Sequence, residues 1–172
     1  MAAKKYLARV SGVTKQESAI DKSTGATDAG KMIAAGTDGK LDESFLPTGI
    51  GADTVSVVAS EALAAGDFVN RHVDGGVMKV RKADNSNGRW ASGFVKEAVS
   101  ISETATIYPL DSVNAEKTGL TVGECWLGTA GGIINTPLDA EDPSNAGKIC
   151  QRIGDVISAT EIATDDYGYV IL

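Results

Sequence analysis

Histidine occurs once in this chain of 172 residues, cysteine twice and proline four times. Each scarcity excludes something. One histidine, His72, and no Cys-x-x-Cys pair leave no recognisable zinc set. Two cysteines cannot supply a disulfide framework. Cys125 in "ECWLG" and Cys150 in "KICQRI" lie in apolar runs and read as buried reduced thiols. Aromatic residues make up only 5% of the chain, so a core must rest on Val, Ile, Leu and Ala. No run approaches the roughly 18–20 apolar residues of a membrane-spanning helix. Positive charge is also in deficit, with 16 Lys/Arg against 23 Asp/Glu and a net charge of −7. Phosphate contacts need a basic face, so neither nucleic acid nor an anionic membrane is an expected partner. "MAAKKYLARV" starts basic, but no apolar run follows. Synthesis in a cytosol without a secretory leader is therefore the expectation.

What the chain does have is glycine, at 20 residues, set between short apolar runs. The pattern divides near residue 53. Residues 1–50 carry seven Lys/Arg and six Asp/Glu, whereas residues 51–172 carry nine and seventeen. A near-neutral first segment thus precedes an acidic body. "KYLARV" fits a strand or one helical turn. Residues 21–53 are broken by Gly, Asp, Ser and Thr every few positions and sustain neither period. Residues 1–53 read as an extended N-terminal arm. From residue 54 to 172 the chain reads as about eight to ten short strands with turn signals at the spacing of a sandwich or small barrel. "DGG" at 74–76 marks a hairpin between "FVNRHV" and "VMKVRKA". One short helix is expected near 111–118, and "LDAEDPSNAG" reads as an exposed acidic loop. "YVIL" is expected to pair as a last strand or to face another subunit. The predicted class is all-β: a small barrel or sandwich preceded by an arm.

Four features invite a functional reading. "GATDAGKM", Gly25 to Met32, matches a phosphate-binding loop except that Met32 replaces the Mg²⁺-holding Ser or Thr. A working loop of that kind sits between a buried strand and a helix. "KQESAIDKST" before it and "MIAAGTDGK" after it provide neither, so no nucleotide site is expected, and Lys31 becomes a surface contact. His72 lacks any nucleophile motif and reads as an exposed surface residue. The acidic pairs Asp165–Asp166, Glu141–Asp142 and Asp42–Glu43 are sequence neighbours, which on a strand point to opposite faces. They read as solvated loops. The apolar islands of the arm are Met32, Ile33, Leu41, Phe45, Leu46, Pro47 and Ile50. They either fold back on the β domain or dock on another copy or another protein. Their spacing along a long arm favours docking.

Two longer stretches carry a resemblance. "DAGKMIAAGTDGKLDESFLPTGIGAD" is similar to a segment recurring in structural proteins of tailed-bacteriophage virions. There a D-A-G-K-hydrophobic, D-G-K-L-D, L-P-x-G-I string joins an N-terminal portion to a β domain. "SEALAAGDFVNRHVDGGVMKVRKADNSNGRWASGFVKEAV", with "TATIYPL", "GLTVGECWLGTAGG" and "IGDVISATEI" after it, resembles small β-barrel proteins that decorate or cement phage capsids. Together the stretches run from about Asp28 to Ile162. The resemblance implies a non-enzymatic virion structural protein on the capsid exterior. It also implies a homotrimer, bound to the major capsid protein and assembled in the host cytoplasm, with no cofactor, metal or small-molecule substrate. Multivalent clustering would stabilise capsomer joints. The D-G-K-L-D string also occurs in fibre-type proteins, so a head-fibre or tail-fibre anchor is the alternative. A small glycan or peptidoglycan hydrolase is the third reading, and it needs carboxylates from separate strands to converge.

Overall fold

The computed structural model describes residues 4–37, 39–46 and 53–172. The chain divides into two compact units, Met1–Gly51 and Ala52–Leu172. Both are built from strands and short 3-10 turns, with no α-helix among the described residues. No helix there is long and apolar enough to cross a membrane.

The first unit opens on a hairpin of β1 (Lys5–Val10) and β2 (Val13–Ser18), with Val10 opposite Val13. Ser11 and Gly12 form its two-residue turn, at φ 51° and 80°. Two consecutive positive φ angles are what a twist-matched hairpin turn requires. "KYLARV" is therefore a strand. The following segment returns to the hairpin through a parallel bridge between Ile20 and Ile33. Lys4 Nζ donates to the Ala35 carbonyl at 2.6 Å, and the Met32 N–H donates to Tyr6 Oη at 3.3 Å.

The second unit holds a closed five-stranded barrel. Its strands are β3 (Val55–Ala59), β4 (Phe68–Asp74), β5 (Val77–Lys82), β6 (Gly93–Val95) and β7 (Thr104–Tyr108), in the order β3-β5-β4-β6-β7. The expected "DGG" hairpin is present as β4–β5, with Asp74 opposite Val77 and Gly75 and Gly76 both at positive φ. Val57, Val69, Val80, Val95, Ala105 and Ile107 fill the barrel.

A five-stranded antiparallel sheet accompanies it. The strands are β8 (Val113–Asn114), β9 (Gly123–Leu127), β10 (Ile133–Ile134), β12 (Arg152–Val156) and β13 (Ile162–Thr164), in the order β10-β9-β12-β13-β8. β11 (Ile149–Cys150) pairs separately with β14 (Val170–Ile171), so "YVIL" does join a strand pair. A second core lies between sheet and barrel: Phe68 and Phe94 from the barrel meet Cys125, Leu127, Ile153 and Ile162 from the sheet. β4 and β6 thus bury both faces, Val69 and Val95 inward to the barrel, Phe68 and Phe94 outward to the sheet. Buried polar side chains bridge the layers and are satisfied there, as burial demands. Gln151 accepts from the Ala91 N–H at 2.7 Å and donates to the Ala91 carbonyl at 3.0 Å. Asn114 donates to the Gly66 carbonyl, and Asn85 to the Leu127 carbonyl.

The helix expected at 111–118 is absent. Val113–Asn114 form β8 there, and Asn114 is fully buried. Its side chain joins the layers, and a helix exposing an Asn to solvent would leave that bond unmade.

Candidate partner-binding surface

The first unit is unusual in its burial. None of its described residues is buried. Leu7, Met32 and Leu41 are 73%, 54% and 58% exposed. Val10, Val13, Ile33 and Leu46 are also exposed. Apolar side chains gain stability only by leaving water. The described part of this unit thus has no core of its own and carries its apolar side chains on its surface.

What shapes the unit is polar chemistry at "GATDAGKM". Ala26–Asp28 form one 3-10 turn, entered through Gly25 at φ 103° and left through Gly30 at φ 82°. Only glycine adopts such angles without strain. The Thr24 N–H and hydroxyl both donate to Asp28 Oδ2, at 2.6 and 2.8 Å. Lys31 Nζ donates to Asp28 Oδ1 at 2.8 Å. The lysine bond, with the Thr24 bonds after it, holds the Asp28 carboxyl at a pKa of about 2. Lys31 is therefore tied to its own loop, with its side chain still 44% exposed. A second knot repeats the device: Ser44 donates its N–H to Asp42, while its hydroxyl accepts from the Ser23 N–H.

These knots decide where the apolar islands go. Ile33 and Phe45 come together with Ile20 along an open groove of about 300 Å³. Leu41 lines a separate groove with Asp21, Lys22 and Lys40. Met32 and Leu46 project into solvent, and Phe45 is half-buried. Pro47 and Ile50 lie outside the described residues. The structure adds an element that the sequence reading left open, the β1–β2 hairpin. "VSGV" at 10–13, a Ser-Gly dipeptide between β-branched residues, is the signal that marks it.

His72 is half-buried rather than exposed. Burial, then the nearby Arg81 cation, pushes its pKa below the ordinary value. Its Nδ1 is buried without a hydrogen-bond partner, and Asp74 is engaged by Lys79 at 2.8 Å. The imidazole thus lacks an orienting carboxylate. Asp142 caps the turn Pro143–Asn145 through the Ser144 N–H, and Asp165 accepts from the Tyr167 hydroxyl. An open depression of about 290 Å³ includes Arg71, Trp90, Asp111 and Asp166. Both of its carboxylates are exposed. No group of three or more potential metal ligands occurs among the described residues. Cys125 is buried and Cys150 half-buried, and both are free thiols. Burial pushes the Cys125 thiol up to about 11, so it packs as an apolar residue rather than reacting. Compared with known proteins, the chain matches no family model and no curated protein.

Proposed function

We propose that this chain is a non-enzymatic structural protein of a phage virion, a decoration or cement protein of the capsid exterior. The observation that carries the reading is the coreless first unit, which has a shape set by polar knots and apolar side chains left uncovered. The resemblance of residues 28–53 to virion structural proteins and of residues 60–162 to capsid-decorating proteins supports it, as does a compact β domain with a double core. In this reading the first unit lies on the major capsid protein across a capsomer joint. Binding free energy comes from covering Met32, Ile33, Leu41, Phe45 and Leu46. Copies clustered around a symmetry axis bind cooperatively, because each bound copy raises the effective concentration of the next contact. A fibre anchor, the alternative reading, would use the same docking unit.

The test leaves the fold alone. Leu41 and Leu46 are exposed, and burying one leucine contributes about 1.5–3 kcal/mol. The double variant Leu41→Asp, Leu46→Asp is expected to weaken capsid binding by about tenfold or more per residue, with an unchanged far-UV spectrum. Full occupancy by the double variant at wild-type concentrations would remove the first unit from the binding mechanism.

A further inference from the structure

The outer face of the five-stranded sheet is covered at its centre, where the Tyr167 ring lies 4.4 Å from the Arg152 guanidinium, and is exposed around it. Along β9 the side chains alternate strictly, Cys125 and Leu127 inward, Glu124 and Trp126 outward. The register sets Glu124 opposite Asp155, Asp155 opposite Ala163, and Ala163 opposite Val113. Two carboxylates directly across from each other repel. Arg152 relieves this by contacting Glu124 at 3.2 Å and Asp155 at 2.8 Å. Around this acidic centre stand Val113, Val122 and Ile157, which are 44%, 68% and 52% exposed. The face therefore carries aliphatic side chains around two exposed carboxylates and one guanidinium.

The first unit carries a face of the opposite kind. On hairpin β1–β2, Lys5, Leu7 and Arg9 share one side with their cross-strand partners Ser18, Gln16 and Thr14. Lys5 Nζ reaches Gln16 Oε1 across that side at 3.5 Å. It bears two cations and no carboxylate, with the strongly exposed Leu7 between them. Glu17 and Lys15 point the other way.

We infer that the outer face of the β10-β9-β12-β13-β8 sheet receives the Lys5–Leu7–Arg9 face of the hairpin from a second copy of this chain. Two twisted sheets stack face to face when their side chains interdigitate. Here Leu7 enters among Val122, Ile157 and Val113, while Lys5 and Arg9 meet Glu124 and Asp155. The contact joins two different surfaces, so each copy gives one face and receives one, and a ring closes when the rotation allows. One hairpin face is smaller than a standard interface of roughly 800 Å² per partner. Ring closure adds the missing strength through effective concentration. The inference concerns the free protein and holds or fails apart from the capsid reading.

Sedimentation equilibrium of the full chain tests it without capsids. The wild type is expected to associate at about 100 µM. Raising salt from about 0.1 M to 1 M shortens screening from roughly 10 Å to 3 Å and should weaken that association. Lys5→Glu with Arg9→Glu should weaken it by at least about tenfold, and so should Glu124→Lys with Asp155→Lys. All four positions are exposed, so circular dichroism should show folded chains. The quadruple variant restores opposite charges and should recover association to within about threefold of wild type. Leu7→Asp, at a position 73% exposed, should dissociate the oligomer at either salt. A monomeric wild type overturns the inference. An oligomer indifferent to Leu7→Asp and to both charge reversals, or a quadruple variant no better than either pair, also overturns it.

Discussion

A Gly154→Ala chain is expected to lose about 3 kcal/mol of stability or more, with melting lowered by roughly 6–12 °C. Gly154 sits in β12 where the pairing with β9 shifts register, between Arg152 opposite Trp126 and Gly154 opposite Cys125. Its φ is 151°, a value that disfavours any side chain. A Cβ there would also overlap the carbonyl oxygen of Ala163, its neighbour across β13. That oxygen is backbone and cannot swing aside. Either β13 shifts, carrying the buried Ile162 and Thr164 with it, or the bulge opens and disturbs the Cys125 Sγ contact to the Gly154 carbonyl at 3.4 Å. Gly147 is the control. Its φ of 79° is also positive, though in the left-handed helical region, and nothing lies within 4 Å of a Cβ built there. Gly147→Ala is expected to cost only about 1 kcal/mol. Thermal melts by circular dichroism compare the two. Equal losses would mean that the sheet yields to the added methyl at Gly154.

Phe94→Ala is the second large effect, with an expected loss of about 3–5 kcal/mol. The chain has only three phenylalanines, and two of them meet here. Phe94 is completely buried, with its ring 6.2 Å from Phe68 in edge-on contact and 5.7 Å from Tyr108 in a stack. The site lies where barrel and sheet share their core, and both layers are held from behind by other packing. They cannot collapse into the space, so a cavity term adds to the lost transfer free energy. Urea denaturation should show the midpoint falling with the slope unchanged. A loss below about 1.5 kcal/mol would mean that the two layers close up, and that they are less firmly set than their hydrogen bonds through Gln151 and Asn85 imply.

Much of the architecture was legible because turn chemistry is local. "DGG" fixes a two-residue turn, and the β-branched content of "ETATIYPL" and "KICQRI" marks strands without reference to partners. The failures have one physical source, which is contact between distant residues. "DSVNAEKT" has the polarity of an exposed helix, yet Asn114 is buried because Gly66 offers it an acceptor. His72 looked solvated among polar neighbours, but it is half-buried and its Nδ1 is out of contact with solvent. The double burial of Phe68–Val69 and Phe94–Val95 follows from a second sheet behind the barrel, which no single strand announces. The candidate surface was half legible. The exposed islands Met32, Ile33, Leu41 and Leu46 could be named from their spacing. Tying Lys31 to Asp28 required the turn that Gly25 and Gly30 make. The acidic sheet face was beyond reach, because Val113, Glu124, Asp155 and Ala163 become neighbours only through strand register.

The central claim is that this chain binds a capsid exterior and stabilises it. The direct measurement adds purified full-length protein to virion capsids stripped of it, and records occupancy together with the capsid melting temperature. The proposed function predicts saturable binding at symmetric positions and a rise in capsid melting that follows occupancy, as expected when a ligand binds the assembled state alone. Absence of binding, or saturated binding with no change in melting, would contradict it.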